Sequence, residues 1–399
     1  NQVLPEANGQ GGDVNISASR LQVSGGAQVA ASTFGPGKGG NLRIDAQDVQ
    51  VIGTNPENPF PTGLFVNADL NATGAAGNLT INTDKLIVQS EALVFAGTRI
   101  AGDGGNISIK TRELLIQDGA QVGASTFGAG KGGSLRVDAQ DVQLIGTSAD
   151  GQYSSALLAR ADQNSTGNAG DLTIKTNTLL VRDSATVSVR SRGTGRAGNM
   201  TLNARSIRLN NNASLRANTR SSKVDPNREQ ATININSQDL IMTRNSYITT
   251  NATGENVFGG NININTGVLV GFDNSDITAN SANSRGGNVK INSRGIFGFQ
   301  SRNPASPNTS DITATGVNNQ SSGNVQINVV YIDPTQGLFE LTETVVDPAQ
   351  QVAQNPCIKG FGNSFTITGR GGLPTDPNKV LSSDNVRVDL IKPVASTVS

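Results

Sequence analysis

Two pairs of aspartates are the first candidates for chemistry. The stretch GAQVAASTFGPGKGGNLRIDAQDVQVIGT, which begins at Gly26, returns ninety-three residues later as GAQVGASTFGAGKGGSLRVDAQDVQLIGT from Gly119. Each copy carries two carboxylates, Asp45 with Asp48 and Asp138 with Asp141. Paired carboxylates cleave glycosidic bonds when they stand ~5–9.5 Å apart across the bond. Whether these pairs could meet depends on the scaffold between them.

Other chemistries lack their parts. The chain has no His and one Cys, Cys357, so neither a Cys/His metal site nor an internal disulfide can be built. Its serines have no imidazole partner, and although a lysine base is conceivable, no motif points to one. GPGKGG and GAGKGG lack the GxxxxGK[ST] spacing of a phosphate loop and read as corner turns. GGDVNISAS at Gly11 and GDGGNISIK at Gly102 match a calcium nonapeptide only loosely and do not iterate. The sequence thus nominates no catalytic, cofactor-binding or metal-binding residue, and a non-enzyme is expected. Lys+Arg and Asp+Glu balance at 31 each, so no electrostatic argument favours nucleic acid or an anionic membrane. No run of eighteen apolar residues suggests a membrane-spanning helix.

The positioning elements follow from a repeat. A unit Gly-Asn-φ-x-φ-Asn, with φ aliphatic, is anchored at Gly12, Gly40, Gly77, Gly105, Gly133, Gly170, Gly198, Ala231, Gly260, Gly287 and Gly323, eleven copies in all. Most spacings are close to 28 residues, with longer units where insertions fall, and three units make the ninety-three-residue block. Aliphatics alternate with polar residues, as in Leu135/Val137, then Val142/Leu144, with a third aliphatic site such as Val122 or Val187 further on. Period two marks strands with one buried face. Each unit therefore reads as three short strands separated by Gly, Asn, Asp and Ser turns.

Such a unit cannot bury its own apolar face, but stacked units can. The expected fold is all-β: a single-stranded right-handed parallel β-helix of about eleven three-strand coils over 1–332, with a C-terminal cap and tail over 333–399. A β-sandwich array is the rival, disfavoured because each unit is too short. Asparagines after the anchor (Asn41, Asn78, Asn106) and at the close of strand one (Asn203, Asn236, Asn265) are expected to bond their counterparts in neighbouring coils. Glycine at the anchor suits a tight corner that needs positive φ. Insertions such as TNPENPFPTG, TSADGQYSSA and QSRNPASPNTS fall at corners, so the loops after Thr54, Thr147 and Gln300 are the expected contact points. In this stack Asp45 and Asp138 lie three coils apart, roughly 14 Å at ~4.8 Å per coil, too far for a glycosidase pair.

GNLTINTDKLIVQ, GAQVGASTFGAGKGG and the ending VVDPAQQVAQNPC…GNSFTITGRGGLPTDP resemble the cyanobacterial filamentous-haemagglutinin-like exoproteins of two-partner secretion. The resemblance covers nearly the whole chain, and the tail is its more specific part. It implies a secreted or cell-surface β-helical rod, brought out by an outer-membrane transporter that reads an N-terminal secretion domain not seen in this sequence. The expected role is structural or adhesive, with corner loops that attach to cells or surface glycans. A polysaccharide-degrading β-helix, or a passive stalk for another functional segment, are the alternatives.

Overall fold

The computed structural model describes residues 2–53, 60–220 and 231–329. The expected cap over 333–399, Cys357 and the loop that begins at Thr54 lie outside the described residues.

The described chain is an all-β solenoid of parallel strands, with one short 3-10 turn at Asn319–Ser321 as its helical element. First and second strands of successive coils form one 14-stranded sheet, and third strands form an 11-stranded sheet. Register is strict. Leu79 pairs with Leu42 below and Ile107 above, then Ile107 with Leu135, and Leu135 with Leu172. Aliphatic stacks on aliphatic because a one-residue slip would turn every buried side chain outward. The interior columns are sealed: Leu42, Leu79, Leu172, Ile233 and Ile262 all have no exposed surface.

First and second strands are less separate than the repeat suggests. In six coils they run through as one strand of eleven or twelve residues, for example Leu172–Arg182 and Thr232–Thr243. In three others they split, as at Leu135–Asp138 and Asp141–Ile145. Side-chain hydroxyls satisfy the bend: Thr176 Oγ1 donates to the Gln140 carbonyl at 2.8 Å.

The anchor glycines are explained differently from the expectation. None has positive φ. Their constraint is contact between coils: a Cβ on Gly133 would land on the carbonyl oxygen of Gly105, and one on Gly170 would land on that of Gly133. The positive-φ residues gather instead at the corner between second and third strands. Pairs there include Asp183–Ser184, Asn211–Asn212 and Asp273–Asn274. Asn and Asp tolerate this left-handed backbone better than most residues.

The asparagine columns form as expected. Asn78 Oδ1 accepts from the Asn106 backbone N–H at 3.0 Å, and Asn106 Oδ1 from that of Ser134 at 2.8 Å. At the close of strand one, Asn236, Asn265 and Asn292 donate in turn to Asn203, Asn236 and Asn265 at 2.9, 3.1 and 2.7 Å.

A further ladder, one residue wide, follows the third strand. It runs through Thr33, Ala68, Thr98, Thr126, Ala161, Ser191, Thr219, Ala252 and Ser281. Its hydroxyls close the glycine-rich corners: Thr33 Oγ1 donates to the Gly37 carbonyl and Thr126 Oγ1 to that of Gly130, both at 2.6 Å. GPGKGG and GAGKGG are therefore corner turns held from inside.

Candidate functional site

The aspartates nominated first are held apart. Asp45 pairs through Asn82 and Lys110 to Asp138, which puts three rungs between the two carboxylates, ~14 Å along the stack. Asp45 accepts from Asn82 Nδ2 at 2.8 Å and from Arg43 Nε at 2.7 Å. The Asn82 bond, followed by the Arg43 bond, holds its carboxyl below the usual carboxylate range. Asp48 takes hydrogen bonds from Arg20 and Gln50, both at 2.9 Å. Asp141 accepts from Thr178 Oγ1 at 2.5 Å. The carboxylates of Asp45, Asp48 and Asp141 thus tie one coil to its neighbour or steady their own strand.

The third face carries a different group. Its outward row begins apolar with Phe65 and Phe95, passes Gly123 and Leu158, and then reads Ser188, Arg216 and Thr249. Two residues beyond Leu158 stands Arg160. The equivalent position one coil later is Arg190, because the Ala161 N–H donates to the Arg190 carbonyl at 3.1 Å. Arg192 lies at the following corner, and Arg216 closes the third strand Ser214–Arg216 of the next coil. The four guanidinium groups line a cleft of about 280 Å³ with Gln152 and Tyr153.

The loop after Thr147 forms one wall. A bridge between Thr147 and Ser154 closes it as a small hairpin, and the Ser148 N–H donates to the Tyr153 carbonyl at 2.7 Å. Asp150 Oδ1 accepts from the Ser148 hydroxyl at 2.5 Å and from the Gln152 N–H at 3.0 Å. These bonds hold the Asp150 carboxyl below its ordinary range, the Ser148 bond most of all. The loop is thus pinned at its base and offers Tyr153, which is 50% exposed, to the cleft. The loop after Gln300 is also shaped by its own contacts. Buried Asp311 accepts from the Ser306 N–H at 2.6 Å and pairs with Arg302 at 3.3 Å.

Charge in the cleft is poorly compensated. Asp162 pairs with Arg160 at 3.0 Å. Nε of Arg160 and Nε of Arg190 are both buried, and neither has a hydrogen-bond partner among the described residues. Arg216 lies over the Tyr247 ring, 4.8 Å from its centre. Burial pushes the Arg190 guanidinium down to about 10, with the charges of Arg160, Arg192 and Arg216 acting in the same direction. Burial also lowers Arg160, and burial followed by the Arg192 charge lowers Arg216. All remain cations at neutral pH, because each is destabilised from a high starting value.

The loop was placed by the repeat, but the arginines were not. Their signal was present: Arg160 and Arg190 recur three residues beyond the third aliphatic in two consecutive units, and Arg216 follows that aliphatic directly in the next. Reading outward rows of the first strand alone left these third-face positions unread. Among the described residues no group of three His, Cys, Asp or Glu side chains stands close enough to hold a metal ion. Among the described residues no helix is long and apolar enough to cross a membrane. Comparison with protein-family models, with curated proteins and with solved structures gives no match.

Proposed function

We propose that this chain is a secreted or cell-surface rod with a structural and adhesive role, which holds polysaccharide or cell-surface glycan against its third face. The stacked coils supply stiffness, and the chemistry sits in side chains that the stack does not need. The observation that carries the reading is the cleft beside the Thr147–Ser154 hairpin. There the loop with Tyr153 and four arginines line one cleft, with Asp162 paired to Arg160 and Arg216 held by Ser214 and Tyr247. The resemblance of the repeats and of the tail to two-partner-secretion exoproteins supports the export route. An outer-membrane transporter is the partner proposed for it. The role proposed is attachment without turnover, which the separation of Asp45 from Asp138 favours.

The test is attachment of the purified chain to cells and to immobilised polysaccharides, compared with a variant in which 149–152 is trimmed. Reduced attachment with an unchanged melting temperature supports the proposal. Equal attachment removes the loop from it, and release of soluble sugar from any polysaccharide would overturn the non-catalytic role.

A further inference from the structure

We propose that the arginine cleft is a binding site for an acidic saccharide, whose carboxylate or sulfate is held by Arg160, Arg190 and Arg216 while a sugar ring lies against Tyr153. The inference rests on the adhesive reading above and narrows it to a ligand class.

Four cations line the cleft; Asp162 pairs with one of them, Arg160, and Asp276 stands in the neighbouring trough that Arg216 also borders. Desolvated like charges in one cleft destabilise the empty protein, so such a cluster is unexpected unless something compensates it. A structural role for the arginines would be to cover the third strand with their aliphatic stems. That accounts for the stems but not for the heads. The Nε–H groups of Arg160 and Arg190 are shut off from water and unbonded among the described residues, and a buried donor left unmade is costly. An oxyanion in the cleft would offset the crowded positive charge of the guanidinium groups that line it. The planar fork of a guanidinium matches two oxygens at once, which suits a carboxylate or sulfate. Arg160 and Arg190 occupy the same place on adjacent rungs, ~4.8 Å apart along the axis, so one anionic group can bridge them.

The remaining lining selects a saccharide. Gln121, Gln152, Ser154, Thr186 and Ser188 offer amides and hydroxyls that suit the alcohols of a sugar. Tyr153 offers an amphipathic ring, apolar in face and polar at its tip. Arg216 also borders the neighbouring trough of about 380 Å³, where Asn218, Tyr247 and Thr249 continue the same face. A chain of sugars laid along the rod would thus meet further polar groups coil by coil. A nucleic acid fits less well, because zero net charge gives no long-range field to draw it in.

The experiment is calorimetric titration of the whole chain with oligogalacturonate, dextran sulfate and neutral dextran. An oligonucleotide of matched charge serves as competitor. Binding of oligogalacturonate alone identifies a carboxylate ligand, and binding of dextran sulfate alone a sulfate; either supports the site. Arg190→Gln and Arg216→Gln should each weaken that binding by about ten-fold or more, since each removes charge-assisted bonds. Arg190→Lys should not restore it, because lysine keeps the charge and loses the fork. Tyr153→Ala should weaken it while Tyr153→Phe does not. Unchanged affinity in the Gln variants, equal affinity for neutral dextran, or stronger binding of the oligonucleotide each overturns the inference. Cell attachment that survives in the Arg190→Gln/Arg216→Gln double variant would leave the adhesive reading standing and remove this one.

Discussion

Gly133→Ala is the sharpest probe of the stack. A Cβ there would land on the Gly105 carbonyl oxygen, with the carbonyl carbon 2.5 Å away, whereas ordinary contact begins near 3.4 Å. Both atoms are backbone, so the two coils must part by about an ångström, against a rung spacing of ~4.8 Å. Four hydrogen bonds cross this junction. Gly104 and Ile107 donate from their backbone N–H groups to the Lys131 and Ser134 carbonyls at 2.8 and 2.9 Å. The backbone N–H groups of Lys131 and Ser134 donate to the Asp103 and Asn106 side chains, both at 2.8 Å. At a net ~0.5–1.5 kcal/mol each, their loss costs about 2–6 kcal/mol. Ala231 occupies this column in another coil, so the local freedom of the corner sets where in that range the cost falls. Urea unfolding followed by far-UV circular dichroism gives the number, and tryptic cleavage after Lys131 reports local opening. Gly146, with φ +75° and nothing within 4 Å of a built Cβ, is the control. There asparagine should be tolerated and alanine should cost about 1–2 kcal/mol, the left-handed penalty. At Gly133 asparagine should be no better than alanine. A wild-type midpoint for Gly133→Ala, or rescue by Gly133→Asn, would refute steric stacking as the reason for the glycine.

Other expectations follow from the same geometry. Asn265→Ala removes one bond to Asn236 and one from Asn292, so denaturant titration should show a loss of about 1–3 kcal/mol. Thr126→Val keeps the shape of the corner but loses the bond to Gly130. It should cost about 1 kcal/mol and speed amide exchange across 127–130. Ile174→Ala opens the sealed interior and should cost about 2–5 kcal/mol in urea. Arg190→Gln should raise the melting temperature of the unliganded chain at neutral pH, because it removes a buried cation among cations. The Arg190 group titrates near 10 when folded and at the ordinary, higher arginine value when unfolded, so the unfolded chain holds more protons above pH 10. Its penalty is therefore full below pH 10 and fades as pH rises above it. The gap in melting temperature between Arg190→Gln and wild type should narrow over that range; a constant gap would count against the cause given.

How far the sequence revealed the molecule depended on whether a feature was repeated. Aliphatic pairs such as Leu135/Val137 were legible because all coils must agree at that place for any to be buried. The asparagine columns were legible for the same reason. The hydroxyl ladder was equally regular, always four residues beyond the third aliphatic, as Thr126 is beyond Val122. It escaped notice because Thr, Ser and Ala share size, not hydropathy. The anchor glycines were found but misexplained, since close approach between residues such as Gly105 and Gly133, a whole coil apart in sequence, leaves no local trace in composition. The cleft was least legible: Arg160, Arg190 and Arg216 gain meaning only when three rungs and one inserted hairpin meet on one face, and each alone reads as a solvated cation.

Register carries one last consequence. Leu42 is followed upward by Leu79, and Leu135 by Leu172, with the same residue classes presented on both sides of each junction. A block of three coils ends as it begins, so a further copy could be spliced between them without any neighbour changing its partner. Length is then a heritable variable of its own: the gene can lengthen or shorten the solenoid in whole blocks while the hairpin and its arginines travel intact.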